Sequence, residues 1–134
     1  MAYKILAIDP GTSKIGVALL DKSGTILYKN ILRPDSLLKD LIDIINREKP
    51  VAIILGNKTA KSEISKTIRE IDKNIKLVEV DEYKSSEEAR KRYWCDNPPR
   101  GFRRLIPTSL QFPPRPCDDY AAVILAERYL KTIK

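Results

Sequence analysis

An α/β fold, a mixed five-stranded sheet flanked by helices, is what this sequence predicts, on three observations. Ile5 to Ile8 and Val51 to Leu55 are unbroken apolar runs, as strands covered on both faces require. Leu38, Leu41, Ile42 and Ile45, and again Ala60, Ile64, Ile68 and Ile71, recur at helical spacing between the strand candidates. Turn residues separate the segments, so strand and helix alternate in the second half of the chain.

The elements follow in order. The first strand ends abruptly at Asp9, and Pro10-Gly11-Thr12-Ser13 turns the chain at once. Proline sets φ at the bend, glycine relaxes it, and Thr12 can donate to a carboxylate, a phosphate or the loop backbone. Ile15, Val17 and Leu19 alternate with Gly16, Ala18 and Leu20, a second strand with one face kept small enough for close packing. Asp21-Lys22-Ser23-Gly24 reverses the chain into Thr25 to Leu32, completing a meander. Pro34-Asp35-Ser36 starts a helix that runs to Glu48 and stops before Pro50. Val51 to Leu55, closed by Gly56, is the fourth strand, and the stripe from Ala60 to Ile71 is the second helix. Ile75 to Val80 is a fifth strand ending in Asp81-Glu82, after which Ser85 and Glu88 form a capping-box pattern for a helix through Trp94. Six prolines between Asn97 and Cys117 exclude regular helix there and predict a long loop. Asp118-Asp119 then caps a last helix, whose run from Tyr120 to Ala126 is so apolar that most of its first two turns must be buried.

At 134 residues with no linker or repeat, the chain is expected to form one domain over 1–134. It has no apolar run long enough to span a bilayer and no secretory pattern, which makes a cytoplasmic location the default expectation and a membrane partner unexpected. Cys95 and Cys117 lie too far apart for a CxxC pair and read as ordinary reduced thiols. The absence of histidine excludes Ser-His-Asp, Cys-His and histidine-base mechanisms together. Chemistry must therefore rest on carboxylates, lysines or metal. The net charge of +7 points to a polyanionic partner.

Three acidic sites lie at element ends beside apolar segments: Asp9, Asp81-Glu82 and Asp118-Asp119. With the first, fourth and fifth strands parallel, their C-terminal ends face one edge of the sheet and the acids can converge. Converging carboxylates repel unless a cation neutralises them, and an all-oxygen set selects Mg²⁺ or Mn²⁺. Two such ions would serve an in-line phosphodiester displacement. Each acid also has a structural role open to it. Either Asp118 or Asp119 can be a plain helix cap, and Asp81 and Glu82 alternate across their strand, so only one of them faces the site if the strand stays regular.

The segments AIDPGTSKIGVAL, VDEYKSSEEA and DDYAAVILAERYL, in this order, resemble the YqgF/RuvX family of Holliday-junction resolvases within the RNase H-like superfamily. The resemblance covers most of the chain. It implies an RNase H-like fold and a Mg²⁺-assisted nuclease site, with Asp9, Glu82 and Asp118 as catalytic metal ligands and Asp81 and Asp119 as substitutes. It also implies a substrate of branched DNA, or of structured RNA such as the precursor of small-subunit ribosomal RNA. Tyr83 stands where the family often has arginine, and the loop before Asp118 is longer and richer in proline than the usual basic linker. The first segment is also similar to the phosphate-binding turn of actin-like and sugar-kinase ATPases, which need two domains around a nucleotide cleft.

Phosphate contacts are expected from Thr12, Lys14, Lys58, Arg90, Arg100, Arg103 and Arg104, and Lys61 and Lys91 add nearby charge. Arg92, Tyr93, Trp94 and Phe102 lie among them, a mixture suited to base stacking. The structural counterpart is that Trp94 and Phe102 anchor the loop while the arginines form a solvated rim. A symmetric junction substrate favours a homodimer. The alternative to a nuclease is a non-catalytic RNase H-like protein that binds nucleic acid or assists ribosome assembly.

Overall fold

The computed structural model describes residues 3–10, 14–56, 61–111, 113 and 116–133, with the side chains of residues 61–63 and 109 outside that description. Strands β1 (Lys4–Pro10), β2 (Ile15–Asp21), β3 (Ile26–Leu32), β4 (Ala52–Gly56) and β5 (Lys76–Val80) form a five-stranded sheet in the order β3-β2-β1-β4-β5. The meander pairs antiparallel, whereas β1, β4 and β5 run parallel. The mixed sheet is therefore as the sequence predicts, and the C-terminal ends of β1, β4 and β5 share one edge.

Helices α1 (Leu37–Glu48) and α2 (Lys61–Ile71) cover one face of the sheet. Leu41, Ile44, Ile45, Ile64 and Ile68 pack there against Leu6, Ile8, Val17, Leu19, Ile53 and Leu55. Helix α4 (Asp118–Thr132) lies on the other face, where Ala122, Val123, Leu125, Ala126, Tyr129 and Leu130 meet Ile5, Ala7, Ala18, Leu20 and Ile54. Alternation along β1 and β2 thus feeds two cores, and burying each large aliphatic contributes about 1.5–3 kcal/mol. Helix α3 (Ser85–Asp96) packs on α4 through Ala89, Tyr93, Tyr120 and Ala121. Flanked by sheet and helix, α4 is buried from Asp119 to Ala126, which accounts for its nearly continuous apolar run.

Several element ends differ from the sequence reading. Pro34–Ser36 forms a separate 3-10 turn ahead of α1. Helix α1 ends at Glu48, as expected, and its cap residue Lys49 has a left-handed φ of 48° and donates its N–H to the Ile45 carbonyl at 2.9 Å. The expected capping box of α3 does not form: Lys84 occupies the cap position at φ 58°, and Ser85 is buried inside the first turn. Glu88 instead pairs with Arg128 at 3.1 Å. Cys117 rather than an aspartate is the cap residue of α4, so Asp118 and Asp119 are its first two helical residues. Ala60 lies outside the described residues. The proline-rich loop contains two short 3-10 turns, Gly101–Leu105 and Thr108–Leu110.

The start of α4 approaches β2 so closely that a Cβ on Gly16 would overlap the backbone carbonyl of Asp118. Backbone cannot swing aside as a flexible side chain can. Gly16→Ala is expected to lower stability by about 1–3 kcal/mol, seen as a lower urea midpoint with an unchanged slope.

Candidate active site

Asp9, the penultimate residue of β1, lies between two glycines. Gly16 is opposite it on β2, and on β4 the pairing of Ile8 with Leu55 brings Gly56 level with it. The space a side chain would take at Gly16 is filled by the backbone of Asp118, and the space at Gly56 by the Glu82 side chain. Missing side chains on both neighbouring strands therefore let the start of α4 and the segment after β5 close in at the end of β1.

The electrostatics record that approach. Asp9 is pushed up to about 7, first by burial, then by the negative charges of Glu82 and Asp118. Neither Asp81 nor Asp119 is among these causes. Asp81 is exposed, and its Oδ1 accepts the Tyr83 N–H at 3.0 Å. Asp119 is only 4% exposed; its Oδ2 accepts from Lys29 Nζ at 3.3 Å and its Oδ1 from the Tyr120 N–H at 2.9 Å. Lys29 also lies over the Tyr120 ring, 4.5 Å from its centroid. Of the two adjacent aspartates, one is thus held by a lysine while the other stands near Asp9.

Arg128 secures the acidic segment from α4. Its guanidinium donates to the carbonyls of Asp81 at 2.6 Å and Tyr83 at 2.7 Å, bracketing Glu82 in sequence. Helix α4 therefore carries Asp118 at its start and, nearly three turns on, the residue that holds the Glu82 segment. No local pattern singles out Arg128 or Lys29, because their roles arise from contacts distant in sequence. Gly56 alone has a signal, a glycine closing an apolar strand.

An all-carboxylate donor set suits a hard divalent cation, and the raised Asp9 pKa shows negative charge that such a cation would relieve. Among the described residues, no group of three His, Cys, Asp or Glu side chains is arranged to hold a metal ion as it stands. The acids are electrostatic neighbours without forming a finished ligand shell.

A cleft of about 240 Å³ opens at this point, lined by Asp9, Asp118, Cys117, Ser86 and Arg90. The structure thus brings Arg90 to the acidic site. Lys14, Arg100, Arg103 and Arg104 are exposed, while Thr12 and Lys58 lie outside the described residues, as does the side chain of Lys61. Arg92 is committed to Glu127, donating to both carboxylate oxygens at 2.8 and 2.9 Å. The expected aromatic anchors separate: Trp94 packs edge-on against Tyr93, with centroids 5.3 Å apart, whereas Phe102 is 75% exposed. Within the loop, Gln111 Nε2 donates to the carbonyls of Arg103 and Ile106, each at 2.9 Å.

The family model described as RuvX, Holliday junction resolvase, matches residues 3–132. Among curated proteins, none matches this sequence. In structure the chain is similar to RuvC of Thermus thermophilus, with a TM-score of 0.54 and 13% identity, covering 96% of each chain. That likeness shows the fold. It is also similar to a ROK family transcriptional regulator described as a homologue of the E. coli MLC protein (TM-score 0.43, 11% identity, 68% of this chain and 31% of that one). A protein from Cytophaga hutchinsonii described as a putative sugar kinase gives a TM-score of 0.45 at 11% identity, over 65% of this chain and 38% of that one.

Because folding raises the Asp9 pKa from its ordinary 3.8 to about 7, between those values the folded protein holds a proton that the unfolded chain has released. Its contribution to stability is present below about pH 4 and is lost as the pH rises to about 7. In chelator at about pH 8, Asp9→Asn is expected to be more stable than the parent by on the order of 2–4 kcal/mol, with little difference near pH 4. Urea unfolding across that range measures the difference.

Proposed function

The chain belongs to the RuvX family of Holliday-junction resolvases, and from that membership we propose that it is a divalent-metal-dependent endonuclease hydrolysing phosphodiester bonds in structured nucleic acid. The observation that carries this reading is the approach of Asp118 and Glu82 to Asp9 through the spaces left by Gly16 and Gly56, which together with burial raises the Asp9 carboxyl. Stability alone gives no reason to gather three acids at the end of a buried strand. In this reading Asp9, Glu82 and Asp118 hold Mg²⁺ or Mn²⁺. When bound, the metal supplies charge neutralisation and lowers the pKa of the attacking water. Arg90 orients the scissile phosphate at the cleft, and Lys14, Arg100, Arg103 and Arg104 grip the backbone on either side.

A four-way DNA junction is the substrate that family membership favours, with a homodimer placing one site on each of two equivalent strands. Structured precursor ribosomal RNA is the second substrate in this reading. A non-catalytic binding protein is the alternative, favoured by one observation, the lack of a finished ligand shell among the described residues.

Two measurements separate the readings. Asp9→Asn is expected to reduce Mg²⁺-dependent cleavage to background across a panel of four-way junction, single-stranded DNA and structured RNA, with binding retained; cleavage surviving the change overturns the metal-ligand assignment. Mg²⁺ at a hundred times its Kd should stabilise the parent by about 2.7 kcal/mol in thermal melting. An unchanged melting temperature favours the non-catalytic protein.

A further inference from the structure

A second pocket, of about 530 Å³, opens at the C-terminal end of α3. Trp94, Pro98 and Pro99 contribute flat apolar surfaces, Asp96 a carboxylate, and Arg100 and Arg103 two exposed cations. The size is that of a small-molecule site, and the composition matches one nucleotide: apolar faces for a base, an acceptor for its edge, and guanidinium groups for its phosphate. Asp96 is oriented for this, because the Tyr120 hydroxyl donates to its Oδ2 at 2.9 Å.

The two pockets lie in succession along α3. Arg90 lines the acidic cleft and Trp94 the second pocket, four residues further along α3, about 6 Å at helical rise. On α4, Ala121 lines the cleft, and its neighbour Tyr120 reaches Asp96. That rise between Arg90 and Trp94 is comparable to one nucleotide step along an extended strand.

A base inside an intact duplex has both faces covered by its neighbours and cannot enter such a pocket. We propose that the pocket at the end of α3 takes one unstacked nucleobase, with Arg100 and Arg103 on its phosphate, while an adjacent phosphate lies in the acidic cleft. The substrate must then present an unpaired nucleotide beside the bond that is cut, as a branch point, bulge or single-stranded end does. Stacking accepts any base, so the pocket reads strand structure rather than sequence. This rests on the nucleic-acid reading above and adds to it the feature of the substrate that is recognised.

Trp94 is the chain's single tryptophan, so its emission reports on the pocket directly. The test titrates the protein, in EDTA, with a short DNA duplex carrying one unpaired nucleotide and with the same duplex fully paired. The bulged probe should quench Trp94 emission and bind about tenfold more tightly, the lower range for stacking one base. With labelled DNA, Trp94→Leu should bring that ratio close to one. Arg103→Gln, an exposed change that leaves the packing intact, should lower affinity for the bulged probe more than for the paired one. Equal affinities with unchanged emission overturn the pocket and leave the nucleic-acid reading standing. If neither probe binds, both readings are overturned.

Discussion

Close approach at two glycines, by backbone at Gly16 and by a side chain at Gly56, is the constraint on which the site depends. Gly16 and Gly56 sit on the strands either side of Asp9, and the room they leave is taken by the start of α4 and by Glu82. Parallel pairing of β1 with β4 and of β4 with β5 sends the relevant strand ends to the same edge. Direction alone would leave the acids separated by side chains. The glycines convert a shared edge into proximity, and the Asp9 pKa rises first through burial and then through the neighbouring charges of Glu82 and Asp118.

Helix α4 organises both the fold and the chemistry. Its apolar residues close the second core, and its first turn supplies Asp118 beside Asp9 and Asp119 to Lys29 on β3. Farther along, Glu127 holds Arg92 of α3, and Arg128 holds the Asp81–Tyr83 backbone. A disturbance of α4 therefore reaches two of the three acidic positions. Burial gives the helix the rigidity this requires, since buried side chains cannot move without opening the core.

The sequence was most legible where periodicity reports burial. Apolar runs identified β1 and β4, helical stripes identified α1 and α2, and the dense run after Asp119 correctly signalled a helix covered on several sides. Cap chemistry was less legible. Ser85 and Glu88 match a capping box, yet Lys84 takes the cap position and Glu88 faces Arg128, because a tertiary ion pair competes for the same side chain. Arg92 shows the same limit, since its place in a basic cluster gives no sign of its bond to Glu127.

Local pattern was thus enough to establish the α/β class, the strand and helix segments, the charge that favours a polyanion, and three acidic stations at element ends. It was not enough to separate Asp118 from Asp119, or Glu82 from Asp81, as neighbours of Asp9. That choice depends on Lys29, Arg128, Gly16 and Gly56, which meet the acids only when distant segments pack. A hydrophobic period records whether a residue faces the core, and it carries nothing about which charge waits across the fold.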